Sequence, residues 1–181
     1  MSEIVRASSI RLIVSDVDGV WTSGKILYLG DGREMKDFHV RDGLAVKLAQ
    51  KAGLSVAVIT SRSSKALERR CRELGITELV QGASSKLSQM QRLVKRLEMD
   101  MSEVCYIGDD LPDLAPIEAA AISAAPSDAV AEVLETVTWR LQAAAGRGAF
   151  RELVEMLLRH RGQWDDIVKG FRSDTTDAPK V

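Results

Sequence analysis

The chain has 181 residues, 45% of them hydrophobic, which suffices for one compact domain with its own core and no disulfide or metal staples. Its 25 basic and 26 acidic residues leave a net charge of -1, so it lacks the electrostatic footprint of a nucleic-acid or anionic-membrane binder, and a small or locally charged ligand is expected instead. Cys71 and Cys105 form no CxxC pair, the start MSEIVRASSIR is too polar for a signal peptide, and no apolar run approaches the roughly 18 residues of a spanning helix, so a reducing cytoplasm is the expected setting.

From Ile10 onward strand-like and helix-like segments alternate. The run IRLIVSD is apolar nearly throughout and ends in acids. Next, SGKILYLGDGREMKDFHV reads as two short strands around the turn signal Gly30 to Gly32, a β-hairpin inserted over about residues 25–40. Helical periodicity follows in GLAVKLAQKAG, a strand in LSVAVIT, a helix in SKALERRCRELG, a strand in ELVQG and a helix in KLSQMQRLVKRLEM. EVCYIGD is the next strand, before the short helical segment LPDLAPIEAA, the strand AISAA, a helix from about Ser127, the β-branched patch TVTW and a helix from about Gly148 to His160.

Strands that are apolar throughout, separated by helices with one apolar stripe, predict an α/β fold: a mostly parallel central sheet covered on both faces, joined by right-handed crossovers. The whole of 1–172 is expected to be a single domain, the hairpin being too short for a second one. The polar stretch 173–181 is expected to be a disordered tail.

The polar residues that break this pattern fall at strand ends, where open parallel sheets bind ligands. The first strand delivers Asp16 and Asp18, the second Thr60, Ser61 and Arg62, the third region Lys86, and the fourth Asp109, Asp110 and Asp113. Carboxylates this dense cannot stay ionised in a half-buried cleft without compensating positive charge. Mg2+ is the natural candidate, because it takes carboxylate oxygens and completes its shell with waters and phosphate oxygens. Lys86, Thr60 and the backbone N–H groups near Val17, Asp18 and Ser61 are then placed to hold a phosphate. Asp16 reads as a nucleophile that forms an aspartyl-phosphate, and Asp18 as the acid that protonates the leaving oxygen and later activates water. Gly19 would let the chain turn sharply enough for Asp18 to reach over the site.

Each residue alone has a plainer reading. A lone Asp after a strand is usually a helix cap or a turn residue, Asp113 could cap the short helix, and Thr60 could be an ordinary strand residue. Lys86 could be a solvated helix start, though a lysine there sits badly against the helix dipole. Arg41, Arg62 and Arg147 could be surface charges or could meet a substrate carboxylate with their planar fork. His39 suits a hairpin better than a Mg2+ site. Trp21 could pack beneath the site or meet a partner subunit.

Taken together, DVDGV, ITSR, the lone Lys86 and GDD resemble, in order and spacing, the four motifs of the haloacid dehalogenase-like phosphatase superfamily, over about Ile10 to Gly162. DVDGVWTSGKILYLGDGREMKDFHVRDGLAVKLAQKAG and GRGAFRELVEMLL are similar to its capless subgroup of 3-deoxy-D-manno-octulosonate 8-phosphate phosphatases. The resemblance implies a Rossmann-like three-layer sandwich and a Mg2+ ion held by the Asp16 carboxylate, the Asp18 backbone carbonyl and Asp109, with Asp110 close by. It also implies a homotetramer whose hairpins associate around the axis, so that a neighbouring subunit roofs each site in place of a cap and Arg147 reaches across. Ser61 stands where the family usually has Gly, and Ala145 where a Gly commonly precedes GRGA. The expected reaction is hydrolysis of 3-deoxy-D-manno-octulosonate 8-phosphate in lipopolysaccharide precursor synthesis. Alternatives are the same chemistry on a nonulosonate 9-phosphate and, from another class, a non-catalytic oligomerisation module.

Overall fold

The apolar run behind Asp16 forms β1 (Leu12–Ser15), the centre of the sheet in a computed structural model that describes residues 7–173. The expected tail lies, apart from Ser173, outside the described residues. After β1 come β2 (Leu27–Tyr28) and β3 (Glu34–Met35), then α1 (Val40–Lys51), β4 (Ser55–Ile59), α2 (Lys65–Leu74), β5 (Glu78–Val80) and α3 (Lys86–Arg96). The second half supplies β6 (Val104–Ile107), α4 (Leu114–Ala119), β7 (Ile122–Ala125), α5 (Ala131–Thr136), β8 (Trp139–Arg140), α6 (Ala149–His160) and α7 (Trp164–Arg172).

Six strands form one parallel sheet in the order β5-β4-β1-β6-β7-β8. Strand residues alternate between two cores. Ile13, Val56, Val58, Cys105 and Ile107 face α1, α2 and α6, whereas Leu12, Val14, Ala57, Ile59, Val104 and Tyr106 face α3, α4 and α5. This is why the inner strands β1, β4, β6 and β7 read as continuous apolar runs: they are buried on both sides. The strand order reverses at β1, and the registers Ser15↔Val58 and Ser15↔Ile107 bring β1, β4 and β6 to a common carboxyl edge. A crevice opens there by topology alone.

The hairpin forms a separate two-stranded sheet, with Leu27 opposite Met35 and Tyr28 opposite Glu34. Helix α1 begins at Val40, with His39 as its cap: the ring Nδ1 accepts the Arg41 N–H at 3.3 Å. Two local expectations change. The helix expected from Ser127 begins at Ala131, because the preceding loop is drawn to the sheet edge, where the Val130 N–H bonds the Asp109 carbonyl at 3.0 Å. Helix α7 had no expectation; it is short, and its anchor is the buried Trp164, with the Arg151 and Arg159 guanidinium groups 5.0 and 5.4 Å from its ring centre.

Candidate active site

Asp16 follows directly on β1, and its backbone N–H continues the ladder by bonding the Ile107 carbonyl at 2.9 Å. After it the chain coils tightly: the Val17 carbonyl accepts the N–H groups of Val20, Trp21 and Thr22 at 3.2, 2.9 and 3.2 Å. Trp21 lies beneath this loop. It is buried, its ring is tilted against Phe150 with centroids 5.2 Å apart, and its Nε1–H donates to Ser15 Oγ at 2.8 Å. Ser15 Oγ in turn donates to the Asp16 carbonyl at 2.6 Å. Gly19 sits at φ +100°, where a β-carbon would lie 1.9 Å from Asp109 Oδ2. Only glycine lets the first loop pass the fourth so closely.

Asp16, Asp18, Thr60, Ser61, Arg62, Lys86, Asp109, Asp110 and Asp113 line one cleft of about 130 Å³. Lys86 is the first residue of α3, yet it is buried rather than solvated, with Nζ 2.9 Å from Asp16 Oδ1 and 2.7 Å from Asp113 Oδ1. Burial alone would lower the Lys86 pKa, but the two carboxylates outweigh it and raise it. Thr60, also buried, accepts the Arg62 N–H on Oγ1 at 3.3 Å.

Asp113 is a hub whose oxygens are fully used. Oδ1 accepts from Lys86 Nζ at 2.7 Å and from the Tyr106 hydroxyl at 2.6 Å, and Oδ2 accepts the N–H groups of Asp109 and Asp110 at 3.2 and 3.3 Å. It is fully buried. It therefore braces Lys86 and the acid loop, and its capping of the short turn is one part of that role. Asp110, expected close by the metal, lines the cleft at its exposed rim and accepts its neighbour Leu111 N–H at 2.8 Å. Lys86 is held by Asp113, whose side chain turns inward from the loop beside that of Asp109.

Two expected substrate contacts are not in the cleft of a single chain. Arg41 is exposed on the first turn of α1, and Arg147 is exposed in the loop before α6. Conversely, the hairpin supplies residues that were not anticipated. Lys36 Nζ bonds Asp18 Oδ1 and lies 3.2 Å from Glu34 Oε1, and Arg62 Nη2 lies 2.6 Å from Glu34 Oε2. The signal was available: Glu34 and Lys36 are two apart around Met35, so they share one face of a strand. Tyr106 was also missed, although a hydroxyl in an otherwise apolar strand needs a buried partner.

Among the described residues, Asp16, Asp109 and Asp113 each offer an oxygen within 4.8 Å of the others. Burial, then the Asp113 charge, raises the Asp16 pKa to about 6 against the pull of Lys86, and burial, then Asp16 and Asp113, raises Asp109 to about 8. Asp109 Oδ1 is buried without a hydrogen bond. One lysine cannot balance three acids, so the cleft is short of positive charge, and its donors are the hard oxygens that a divalent cation such as Mg2+ prefers. With Asp113 saturated, Asp16 and Asp109 are the carboxylates left to hold it.

The family model for haloacid dehalogenase-like hydrolases matches residues 35–121. The 3-deoxy-D-manno-octulosonate 8-phosphate phosphatase of Escherichia coli strain K12 is 40% identical over 163 residues, 90% of this chain and 87% of that one. The enzyme of the same name from Yersinia pestis is 40% identical over 156 residues, covering 86% and 83%. Among solved structures, this phosphatase from Moraxella catarrhalis, in complex with a magnesium ion, a phosphate ion and a KDO molecule, superposes with a TM-score of 0.91 at 34% identity, covering 93% of this chain and 97% of that one. The cobalt-bound Haemophilus influenzae phosphatase gives a TM-score of 0.88 at 37% identity, covering 92% and 98%. With its motifs at the carboxyl edge of a six-stranded parallel sheet, the chain belongs to the 3-deoxy-D-manno-octulosonate 8-phosphate phosphatase family of haloacid dehalogenase-like hydrolases.

Proposed function

We propose that this chain hydrolyses 3-deoxy-D-manno-octulosonate 8-phosphate through an aspartyl-phosphate on Asp16. The observation that carries the reading is Asp16 at the end of the central strand, bonded to Lys86, with Asp18 two residues on and Asp109 facing them. Asp16 attacks phosphorus, the bond to the sugar C8 oxygen breaks, and Asp18 gives that oxygen its proton. Water then attacks the acyl phosphate while Asp18 takes a proton back, releasing phosphate and restoring Asp16. Lys86 spends two of its three N–H bonds on Asp16 and Asp113, which leaves the third for a phosphate oxygen. Thr60 Oγ1 accepts from the Arg62 backbone and so keeps its own O–H to donate, beside the N–H groups of Val17 and Ser61. A Mg2+ ion held by Asp16, Asp109 and the Asp18 carbonyl would neutralise the phosphate and polarise it toward attack.

The cleft of about 130 Å³ is well short of the roughly 300 Å³ or more that encloses a whole small ligand. It fits the phosphate end and leaves the sugar outside. A second copy of the chain is our candidate for the missing wall, in a homotetramer that brings Arg147, and Arg41 with it, to a neighbour's cleft. Support comes from the hairpin, where Ile26, Leu27, Tyr28, Leu29 and Met35 are 41–69% exposed, an apolar cluster that a monomer would leave wet. Both cysteines are buried and free, which suits a cytoplasmic enzyme. The octulosonate name carried by relatives at 40% identity favours that substrate over a nonulosonate 9-phosphate, and the intact acids and lysine speak against a non-catalytic module. Phosphate release from both sugar phosphates with Mg2+ tests the reading. The octulosonate should win in kcat/KM and Asp16→Asn should abolish turnover, whereas an active Asp16→Asn would overturn the mechanism.

A further inference from the structure

The inserted hairpin reaches the chemistry as well as the surface. Lys36, just past β3, has a side chain only 5% exposed, and its Nζ bonds Asp18 Oδ1 with Glu34 Oε1 at 3.2 Å behind it. Arg62 closes the group from the motif after β4, with Nη2 2.6 Å from Glu34 and Nε 3.8 Å from Asp18 Oδ2. Two acids and two bases thus alternate, so the arrangement is neutral and each charge is paired. Asp18 Oδ1 also takes the Thr22 hydroxyl at 3.4 Å, whereas Asp18 Oδ2 is buried and has no hydrogen bond. The two oxygens of one carboxylate are therefore not equivalent: one is tied to the hairpin, the other has no hydrogen bond and only Arg62 Nε, 3.8 Å away, beside it.

We propose that Lys36 is a positioning residue that pins Asp18 by Oδ1, so that Oδ2 is the oxygen that exchanges a proton with the leaving group, and that Glu34 and Arg62 set Lys36. The inference rests on Asp18 being the acid/base. It gives the hairpin a part in catalysis inside its own chain, separate from any role between subunits. A lysine so placed fixes direction: without it the Asp18 side chain gains rotamers that point away from the phosphate, and misplacement of a reacting group by about 1 Å can cost roughly 100-fold.

The test compares kcat/KM for two substrates, because that ratio contains only the steps up to departure of the leaving group. A sugar phosphate leaves as a strongly basic alkoxide and needs the proton, whereas p-nitrophenyl phosphate leaves as a weakly basic phenolate and needs it little. Lys36→Met should lower kcat/KM about 100-fold for the sugar phosphate and less than about tenfold for the aryl ester. In an Asp18→Asn background the same change should add no more than about threefold, because both residues act on one proton transfer. Equal losses on both substrates would make Lys36 merely structural, and full activity of Lys36→Met beside a dead Asp18→Asn would overturn the inference while leaving the mechanism intact. An Asp18→Asn variant as fast as the parent on the sugar phosphate would instead remove the acid/base reading, and the inference with it. Should Lys36→Met fail to fold, Glu34→Gln carries the same comparison, since it frees Lys36 without emptying its place.

Discussion

Asp113→Asn isolates what braces the lysine. The carboxylate now accepts four donors: Lys86 Nζ and the Tyr106 hydroxyl on one oxygen, and the N–H groups of Asp109 and Asp110 on the other. An amide of the same shape has one accepting oxygen, so whichever way it turns, its NH2 faces two of these donors and leaves them unpaired in a fully buried place. At about 1–3 kcal/mol for each orphaned group, and with Lys86 still paired to Asp16, the loss should be about 2–5 kcal/mol. Turnover should fall by roughly 100-fold or more as Lys86 loses its fixed position against the phosphate. Urea unfolding at constant slope, run without metal and again with Mg2+, separates a brace from a ligand. A brace weakens the protein by the same amount in both. A variant as stable as the parent without metal, and weaker only in the gain it draws from Mg2+, would make Asp113 a metal ligand and sink the bracing role.

Gly19→Ala should abolish turnover and weaken Mg2+ binding by calorimetry, because its β-carbon would occupy the place of the Asp109 carboxylate, 1.9 Å from Oδ2; normal metal affinity would contradict the packing. Asp42 carries a pH dependence away from the cleft. It is buried in the first turn of α1, and its Oδ1 accepts the Arg151 N–H at 2.8 Å, capping α6 from another helix. Burial outweighs that bond and the nearby His39, Arg151 and Arg70 charges, raising its pKa from 3.8 to about 6. A raised acid stabilises the fold fully below the unfolded value and loses that contribution as pH climbs through the folded one, about 3 kcal/mol in all. Asp42→Asn keeps an acceptor for Arg151, so its stability relative to the parent should rise between pH 4 and 7, followed by thermal melting in the absence of metal; a flat difference would show that Asp42 ionises without penalty.

The inner strands were readable because they are buried on two faces and so carry almost no polar interruption until their ends, and Asp16, Thr60 and Asp109 stood out as those interruptions. Spacing along the chain was enough to pair the motifs with strand ends, since a parallel sheet sends every carboxyl end to the same edge. The side-chain partners were decided in three dimensions. Asp110 and Asp113 are both acids in one turn, and only the backbone path sends Asp113 inward to Lys86 and Tyr106 while Asp110 caps the turn in solvent. Asp42 lies in the first turn of α1, yet it caps α6 through Arg151, 109 residues away in sequence. Lys36 and Glu34 lie in the hairpin, and only its fold against the loops after β1 and β4 brings Lys36 to Asp18 and Glu34 to Arg62. Local sequence determines where a chain must be apolar and where it must turn, because burial and backbone sterics act residue by residue; which charge meets which is set by long-range packing, and that is where this site acquires its geometry.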